Sequence, residues 1–289
     1  MKRIITIFFL SLASCPLFAQ HEARVGIFGG VNNTSLKNAK DAAFGDFLPT
    51  FKPTLGIDAG YYFTIFKKLP IGFSFQLAGN SLGQNYNGNY SDSTSYYAYS
   101  RLNYFRPGIA FHAGSNMRKL VAFTFSAGAT MGFLTSYQER YELIRYNNDR
   151  FILDIKNNDV ILYDTVKTRG TLTSPMYNQT DFSIFGTMGV DFMLTKHIVL
   201  GLSLRTDMGM TPVENKNKMN INYQTTPSSS VVFQPYNLDV KYRGPVSATA
   251  KRDETTNSSY GVFMSVKYRL FNPETVSYTH LTLPTKRIV

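Results

Sequence analysis

The side chains most often used in catalysis and metal binding are few and scattered in this 289-residue sequence. The histidines are His21, His112, His197 and His280, and none stands beside a serine or an acid in a pattern typical of a nucleophilic site. The single cysteine, Cys15, excludes a disulfide framework and a metal site built from cysteines. The sequence therefore predicts no catalytic residues, no cofactor and no metal site.

Six charged residues occur where a strand pattern places polar side chains opposite a row of apolar ones. They are Asp58, Asp191, Arg205, Asp207, Lys267 and Arg269. If these polar rows line a poorly hydrated interior, opposite charges have to pair, because an isolated buried charge is very costly. The set predicts a structural network of ion pairs that fills the interior. The alternative is a path for protons or ions, which a filled interior conducts poorly.

These charges belong to segments in which apolar and polar or small residues alternate with a period of two, the pattern of a β-strand with two different faces. Eight segments show it: residues 25–32, 55–63, 71–78, 96–111, 121–133, 182–192, 198–205 and 260–270. Each reaches or approaches the ~9–11 residues that a tilted transmembrane strand needs. In the fourth segment Pro107 predicts a bulge, since proline cannot donate to the ladder.

The composition of the two faces distinguishes a membrane barrel from a soluble β-sandwich, which also alternates. The polar-parity face is mostly Gly, Ser, Thr and Ala, which suits a crowded interior better than a solvated exterior. Aromatic residues make up 15% of the chain and charged residues only 17%, whereas soluble domains have about 25% charged residues. A sheet buried in lipid has to close, because an open edge would leave backbone N–H and C=O groups unpaired.

The connections between the eight segments alternate between long and short along the chain. The short ones fall near residues 67–70, 114–116 and 195–197, and the long ones cover residues 35–51, 80–95, 138–180 and 209–259. This asymmetry is typical of a bacterial outer-membrane barrel. We therefore predict an all-β fold, an eight-stranded antiparallel up-and-down transmembrane β-barrel with short periplasmic turns and long extracellular loops.

Two of the long loops contain strand patterns of their own. Residues 151–155 and 161–163 predict one hairpin. Residues 220–223 and 238–242 predict another, with residues 227–230 in its connection. These runs are short and interrupted by charge, so we expect them to extend the sheet above the membrane rather than to span it.

The two termini differ in composition from the segments between them. Residues 1–19 combine a positive start, a short apolar core and a final small residue, which predicts a signal peptide. Cys15 closes a segment that also resembles a lipobox, so acylation of this cysteine is the alternative. Residues 20–275 form the predicted barrel. Residues 276–289 begin with a run that resembles the translation of a transposase adapter used in sequencing libraries; we interpret them as a non-native tail, with an ordinary periplasmic tail as the alternative.

Three short motifs resemble the PorT-like outer-membrane β-barrel proteins of Bacteroidetes. Residues 26–32 read GIFGGVN, the predicted signal peptide ends at the Phe-Ala-Gln of residues 18–20, and residues 266–271 read VKYRLF. The terminal aromatic of the last motif resembles the signal that the barrel-assembly machinery recognises during biogenesis. The family more often ends Tyr-Arg-Phe, without an inserted Leu270. The resemblance implies an eight-stranded barrel in the cell outer membrane and no single biochemical activity.

The charge balance limits the range of partners. The formal net charge of +11 falls by four when the basic residues of the signal peptide and the tail are set aside. No nucleic-acid-binding motif accompanies this charge, so it predicts contact with outer-membrane lipid and lipopolysaccharide rather than with nucleic acid. Three functions stay open: a non-enzymatic structural or surface-interaction role through the long loops, the handling of small hydrophobic molecules or lipids, and an accessory role in a protein secretion or assembly complex.

Overall fold

The structure is a computed structural model and describes residues 21–37, 47–65, 69–91, 94–115, 120–145, 150–163, 167–172, 175–215, 221–225, 229–233 and 254–270. These residues form β-strands β1 (His21–Lys37), β2 (Phe47–Leu48), β3 (Phe51–Ile65), β4 (Leu69–Ser91), β5 (Thr94–Gly114), β6 (Val121–Arg145), β7 (Arg150–Lys156), β8 (Asp159–Tyr163), β9 (Lys167–Leu172), β10 (Thr180–Met193), β11 (Ile198–Gly209), β12 (Ile221–Thr225), β13 (Ser229–Phe233) and β14 (Thr256–Arg269). None of the described residues forms a helix long and apolar enough to cross a membrane.

Eight of these strands close into a barrel. Their order around it is β1, β3, β4, β5, β6, β10, β11 and β14, and every neighbouring pair is antiparallel. The circle closes where β1 pairs with β14, so that Val31 lies between Pro53 of β3 and Val262 of β14. The predicted eight-stranded antiparallel up-and-down barrel is confirmed.

The two faces of each barrel strand are as different as the alternation predicts. Large apolar side chains point outward and stay exposed, for example Ile57 at 54%, Leu202 at 48% and Met264 at 67%. The intervening side chains point into the lumen, where Asp58 and Phe263 are buried. A belt of exposed apolar residues around a closed sheet is the surface that a lipid bilayer covers.

Glycines on the lumenal face make room for the few large side chains that cross it. A Cβ added to Gly56 would lie 2.5 Å from the ring of Phe28, and one added to Gly128 would lie 2.6 Å from the ring of Phe185. Both distances are far below van der Waals contact. Each ring therefore occupies the space that the side chain of any residue other than glycine would need at that position. This explains why the polar-parity face is rich in glycine.

The strands continue well beyond the membrane, where the sequence predicted a loop. Residues 80–95 were expected to connect two strands, but β4 and β5 stay paired from Asn80 with Tyr104 up to Ser91 with Thr94. At 23 and 21 residues these strands are about twice the length that crosses a bilayer. The loop prediction is therefore wrong here, and the segment forms a paired extension on the extracellular side.

The first predicted loop hairpin is confirmed and the second differs in its partner. Strands β7 and β8 pair around a turn in which Asn157 has φ of 53°, a conformation that asparagine tolerates. Strand β12 pairs with β13, so residues 229 and 230, expected in the connection, belong to the second strand. The segment predicted at residues 238–242 lies outside the described residues, as do the signal peptide with Cys15 and the tail.

The bulge predicted at Pro107 is wrong. Pro107 pairs with Leu77 without a shift of register on the β4 side, and on the β6 side the ladder skips Arg106 and Pro107 without inserting a residue. The register shift lies nearer the extracellular end, opposite Asn103, where Thr135 is left over and donates a 2.9 Å hydrogen bond to the Asn103 carbonyl. Proline here interrupts the ladder because it has no N–H, but it does not change the pairing.

We expect Leu202→Arg to lower the free energy of unfolding by about 2–4 kcal/mol, because the change places a charge on the lipid face near mid-height. Met210→Arg is the matched control. Met210 is equally exposed but follows the extracellular end of β11, where the same change should lower the free energy of unfolding by about 0–1 kcal/mol. Unfolding titrations in lipid vesicles measure both. Equal losses in the two variants would contradict the assigned lipid face.

Candidate functional site

The periplasmic half of the lumen holds a cluster of buried charges. Arg24 donates from Nη1 to Asp191 Oδ2 at 2.9 Å and from Nε to Glu22. Lys267 Nζ lies 3.4 Å from Asp191 Oδ1, and Arg269 Nε lies 2.7 Å from Glu22 Oε1. The register explains the cluster, because inward positions at the periplasmic ends of β1, β10 and β14 meet across a narrow barrel. Each acid is shared by two cations, so the charges largely neutralise one another.

Asp58 borders this cluster without joining it by a hydrogen bond. The residue is 7% exposed, and its Oδ1 has no hydrogen-bond partner among the described residues. It faces a lumenal cavity of about 80 Å³ whose wall also includes Tyr62, Gln76 and Lys267. The cavity is polar and wide enough for a few water molecules, which would supply the missing hydrogen bond. It is far too small for an open channel.

The two described histidine rings each pack against a tyrosine ring. His112 lies not in a turn but on β5 with its ring in the lumen, where Nε2 and Ser74 Oγ share a hydrogen bond of 2.7 Å. The ring also packs against Tyr62, with centroids 5.4 Å apart. His197 does lie in the turn between β10 and β11, and its ring stacks on Tyr268 at 5.7 Å. Both rings therefore lie toward the periplasmic end.

Arg205 crosses the middle of the lumen. Its Nε and Nη2 donate to the carboxylate of Asp207 at 2.9–3.2 Å, and its Nη1 donates to Gln76 Oε1 at 3.1 Å on the opposite wall. The guanidinium lies over the ring of Phe185 at 3.8 Å and within 5.8 Å of the ring of Phe263. This layer combines a two-pronged ion pair with two aromatic rings, so it blocks the lumen at mid-height.

A third layer lies near the extracellular mouth. Arg106 donates from Nη2 to Asp181 and packs over the ring of Tyr104 at 5.1 Å. Asp181 also accepts hydrogen bonds from Asn257 at 2.8 Å and from Ser183 at 3.1 Å. Arg106 and Asp181 are each only 2% exposed. The hydrogen bonds that this buried carboxylate accepts join β5, β10 and β14.

All six charged residues singled out from the sequence face the lumen, but they do not form one network. Asp58, Asp191, Lys267 and Arg269 lie at the periplasmic cluster, whereas Arg205 and Asp207 lie in the separate middle layer.

Sequence reasoning missed four charged partners. They are Glu22, Arg24, Arg106 and Asp181. Their inward parity was available as a signal. The first two precede the segment recognised as the first strand, and Asp181 precedes the sixth. The fourth segment was the least regular, so Arg106 beside Pro107 was not assigned to a face.

Above the barrel the strand extensions enclose a second, apolar core. Its buried members are Leu36, Leu82, Tyr86, Ala98, Leu102, Tyr104, Tyr137, Leu153, Ile155, Val160, Met176, Tyr177 and Val213. Within it the carboxylate of Glu139 is fully buried and accepts hydrogen bonds from Ser100 Oγ at 2.8 Å and from the Tyr177 hydroxyl. Burial, chiefly, raises the pKa of Tyr137 to about 12. The extracellular part is thus packed like a small soluble domain.

No group of three or more His, Cys, Asp or Glu side chains in the described ranges is arranged to hold a metal ion.

Replacing Arg205 by Met should lower the free energy of unfolding by about 3–5 kcal/mol, because it leaves the Asp207 carboxylate buried without its partner. Adding Asp207→Asn should recover part of that loss, which a double-mutant cycle in unfolding titrations measures. Arg150→Met is the control, since the Arg150 side chain is 62% exposed and its surface ion pair contributes about 0–1 kcal/mol. If the losses of the two single variants simply add in the double variant, the Arg205–Asp207 pair contributes nothing to the free energy of unfolding.

Comparison with solved structures finds outer-membrane proteins of low sequence identity. Ail, the attachment invasion locus protein of Yersinia pestis, is 9% identical over 86% of this chain and 99% of its own, with a TM-score of 0.28. Neisserial surface protein A is 9% identical over 84% of this chain and 96% of its own, with a TM-score of 0.33. OprG from Pseudomonas aeruginosa is 11% identical over 86% and 94%, with a TM-score of 0.30. Likenesses this distant carry no argument about function.

None of the curated proteins compared with this sequence matches it.

A family model, in contrast, matches the sequence over most of its length. The model of the outer membrane protein beta-barrel domain matches residues 5–243, a range that includes seven of the eight barrel strands described above. The closed barrel, its apolar belt and its polar lumen agree with this match. The chain belongs to the outer membrane protein beta-barrel domain family.

Proposed function

We propose that this outer-membrane barrel is not an enzyme and acts as a structural and surface-interaction protein through its extracellular part. The observation that carries the proposal is the packed extracellular extension. Five neighbouring strands, β4 to β8, continue or add to the sheet above the membrane and share one apolar core. A rigid sheet held outside the bilayer presents a fixed surface, which is what recognition of a partner requires.

The lumen supports a structural role over transport. Eight strands leave an interior that side chains nearly fill, and three polar layers cross it here, centred on Arg24, Arg205 and Arg106. We propose that the ion pairs of these layers act as a structural plug. A path for protons or ions has less support, because each cation in the layers is engaged by an acid or an amide.

The alternatives from the sequence have weaker support. Handling of small hydrophobic molecules would require an apolar passage, whereas three layers of ion pairs cross the described lumen. The PorT-like assignment, with an accessory place in a secretion complex, is supported only by the three short motifs at residues 18–20, 26–32 and 266–271. A catalytic role would need reactive groups at the outer rim, and the two described histidine rings lie at the other end.

The remaining sequence predictions belong to the same proposal. Residues 1–19 would be removed as a signal peptide, residues 276–289 would be foreign to the native chain, and the barrel-assembly machinery would insert residues 20–275. Amino-terminal sequencing of protein from native outer membrane tests the first point, and sequencing of the genomic locus tests the second.

Planar-bilayer recording tests the plug. We expect the reconstituted full chain to show none of the steady conductance of a water-filled, 16-stranded porin recorded in the same bilayer. Migration that differs between unheated and heated samples on a gel verifies that the barrel is folded. Steady porin-like openings by folded protein would overturn the proposed closed lumen and favour transport.

Leu153→Ala should loosen the extracellular extension without opening the barrel. Leu153 is fully buried in the extracellular core, so its truncation should cost about 2–5 kcal/mol of local stability. We expect faster cleavage of the extracellular part by added protease, with heat-dependent gel migration unchanged. Ile161→Ala, on the less buried face of β8, is the control and should be cleaved at the wild-type rate. Equal protection of all three proteins would contradict a packed extracellular core.

A further inference from the structure

The extracellular sheet has an outer face that is basic, and we call it the basic face. It is defined by six cationic residues on strands β5 to β9: Arg101, Arg140, Arg150, Lys156, Lys167 and Arg169. Their strand neighbours Ser100, Glu139 and Ile155 are buried in the extracellular core. Because side chains alternate along a strand, the cations point away from that core. Five of the six residues are exposed, and Arg140 is half-buried.

The acids on the same face neutralise only part of this charge. Glu142 lies 3.6 Å from Arg140 and 3.5 Å from Arg150. Asp154 accepts a 3.3 Å hydrogen bond from Gln138. Asp159 is the third acid, so six cations face three carboxylates.

Four of the six cations have no acidic partner among the described residues. Within those residues no ion pair within 4.0 Å engages Arg101, Lys156, Lys167 or Arg169, and the face therefore has cations to spare for an anionic ligand.

The cations are arranged in rows that rise from the membrane. Gln138 pairs with Arg101 on one side and with Lys156 on the other, so these two cations share the first row. Arg140 and Arg169 share the second row, and Lys167 lies in the third.

The first row lies close to the lipid headgroups. Arg101 is four residues above Phe105, the last lipid-exposed aromatic of β5, which places it about 13 Å along a tilted strand and ~10 Å above the hydrocarbon. The headgroup layer occupies about 5–8 Å on each side of the bilayer. The first row therefore lies just above the headgroups, at the height of the inner saccharide, and the other rows lie higher.

Aromatic side chains accompany the cations. The rings of Tyr97 and Tyr99 lie 6.3 Å apart on the outer face of β5. On β8 the ring of Tyr163 lies 4.9 Å from the ammonium of Lys167. Exposed rings beside cations suit a ligand that has both anionic groups and flat apolar surfaces, as a phosphorylated saccharide does.

We propose that the basic face binds the phosphorylated inner saccharide of lipopolysaccharide in the surrounding outer leaflet. Charge complementarity and height select this occupant, because phosphates at and just above the headgroups would meet Arg101 and Lys156 first. The guanidinium fork of Arg101 matches a phosphate bidentately, and the sugar rings would pack against Tyr97 and Tyr99. The proposal rests on the proposed surface role of the extracellular sheet and names its partner.

Isothermal titration of the full chain in detergent micelles tests the proposal. The probe is the phosphorylated core oligosaccharide released from lipopolysaccharide by mild acid, which has no acyl chains. We expect Arg101→Ser with Lys156→Ser to weaken binding about tenfold or more, because two charge-assisted contacts are lost. The matched control removes the same charge elsewhere, with Lys37→Ser and Lys196→Ser at exposed positions off the face, and should bind like the wild type.

Equal binding by the two double variants would overturn the proposal, as would equal binding of the oligosaccharide after chemical removal of its phosphates. Tighter binding of a sulfated glycosaminoglycan fragment of equal charge would also overturn it and would assign the face to a glycan outside the cell's own membrane. Heat-dependent gel migration verifies that each variant is folded. A wild-type chain that binds no oligosaccharide but stays non-conducting would overturn this proposal alone and leave the proposed closed barrel in place.

Discussion

The pairing of every backbone N–H and C=O group within the hydrocarbon is the constraint on which the rest of this structure depends. Lipid offers no hydrogen-bond partner, so the sheet has to close on itself. Closure here joins the first described strand, β1, to the last, β14, over fourteen register positions from Arg24 with Arg269 to Lys37 with Thr256. Once these two strands meet, the facing of every residue between them is set, because a shift by one residue would turn all lipid-facing side chains into the lumen.

Closure with eight strands also determines what the interior can do. A barrel of this size has room for side chains and little else. Where a large ring points into the lumen, the residue paired with it on the neighbouring strand is glycine, as Gly56 is beside Phe28. The arginines that cross the lumen, Arg24, Arg205 and Arg106, are each paired with an acid, because water is scarce. The accessible surface of the described residues that is not covered by lipid therefore lies mainly at the extracellular end, where the strands leave the membrane.

The polarity of the sheet inverts at that end. Within the membrane β5 turns Phe105 and Ile109 outward, whereas above it the same parity carries Arg101 outward and the other parity buries Leu102. On β6 the extra residue Thr135 shifts the pairing, so that odd-numbered residues face lipid up to Phe133 and Tyr137 faces the extracellular core. The inversion follows from the change of solvent. Lipid selects apolar side chains outside the barrel, and water selects polar ones outside the extension.

The sequence by itself determined the strand number and the facing of the membrane segments, since lipid on one side and a crowded lumen on the other impose a strict period of two. It also placed the six lumenal charges on the correct face. Only the tertiary structure decided which charges meet, because Arg24 and Asp191 are 167 residues apart and the register around a closed ring brings them together. The extracellular extension was likewise beyond the sequence pattern. The segment at residues 80–95 has the Asn- and Gly-rich composition of a loop, and it becomes strand because β4 and β5 continue a ladder that the barrel has already started.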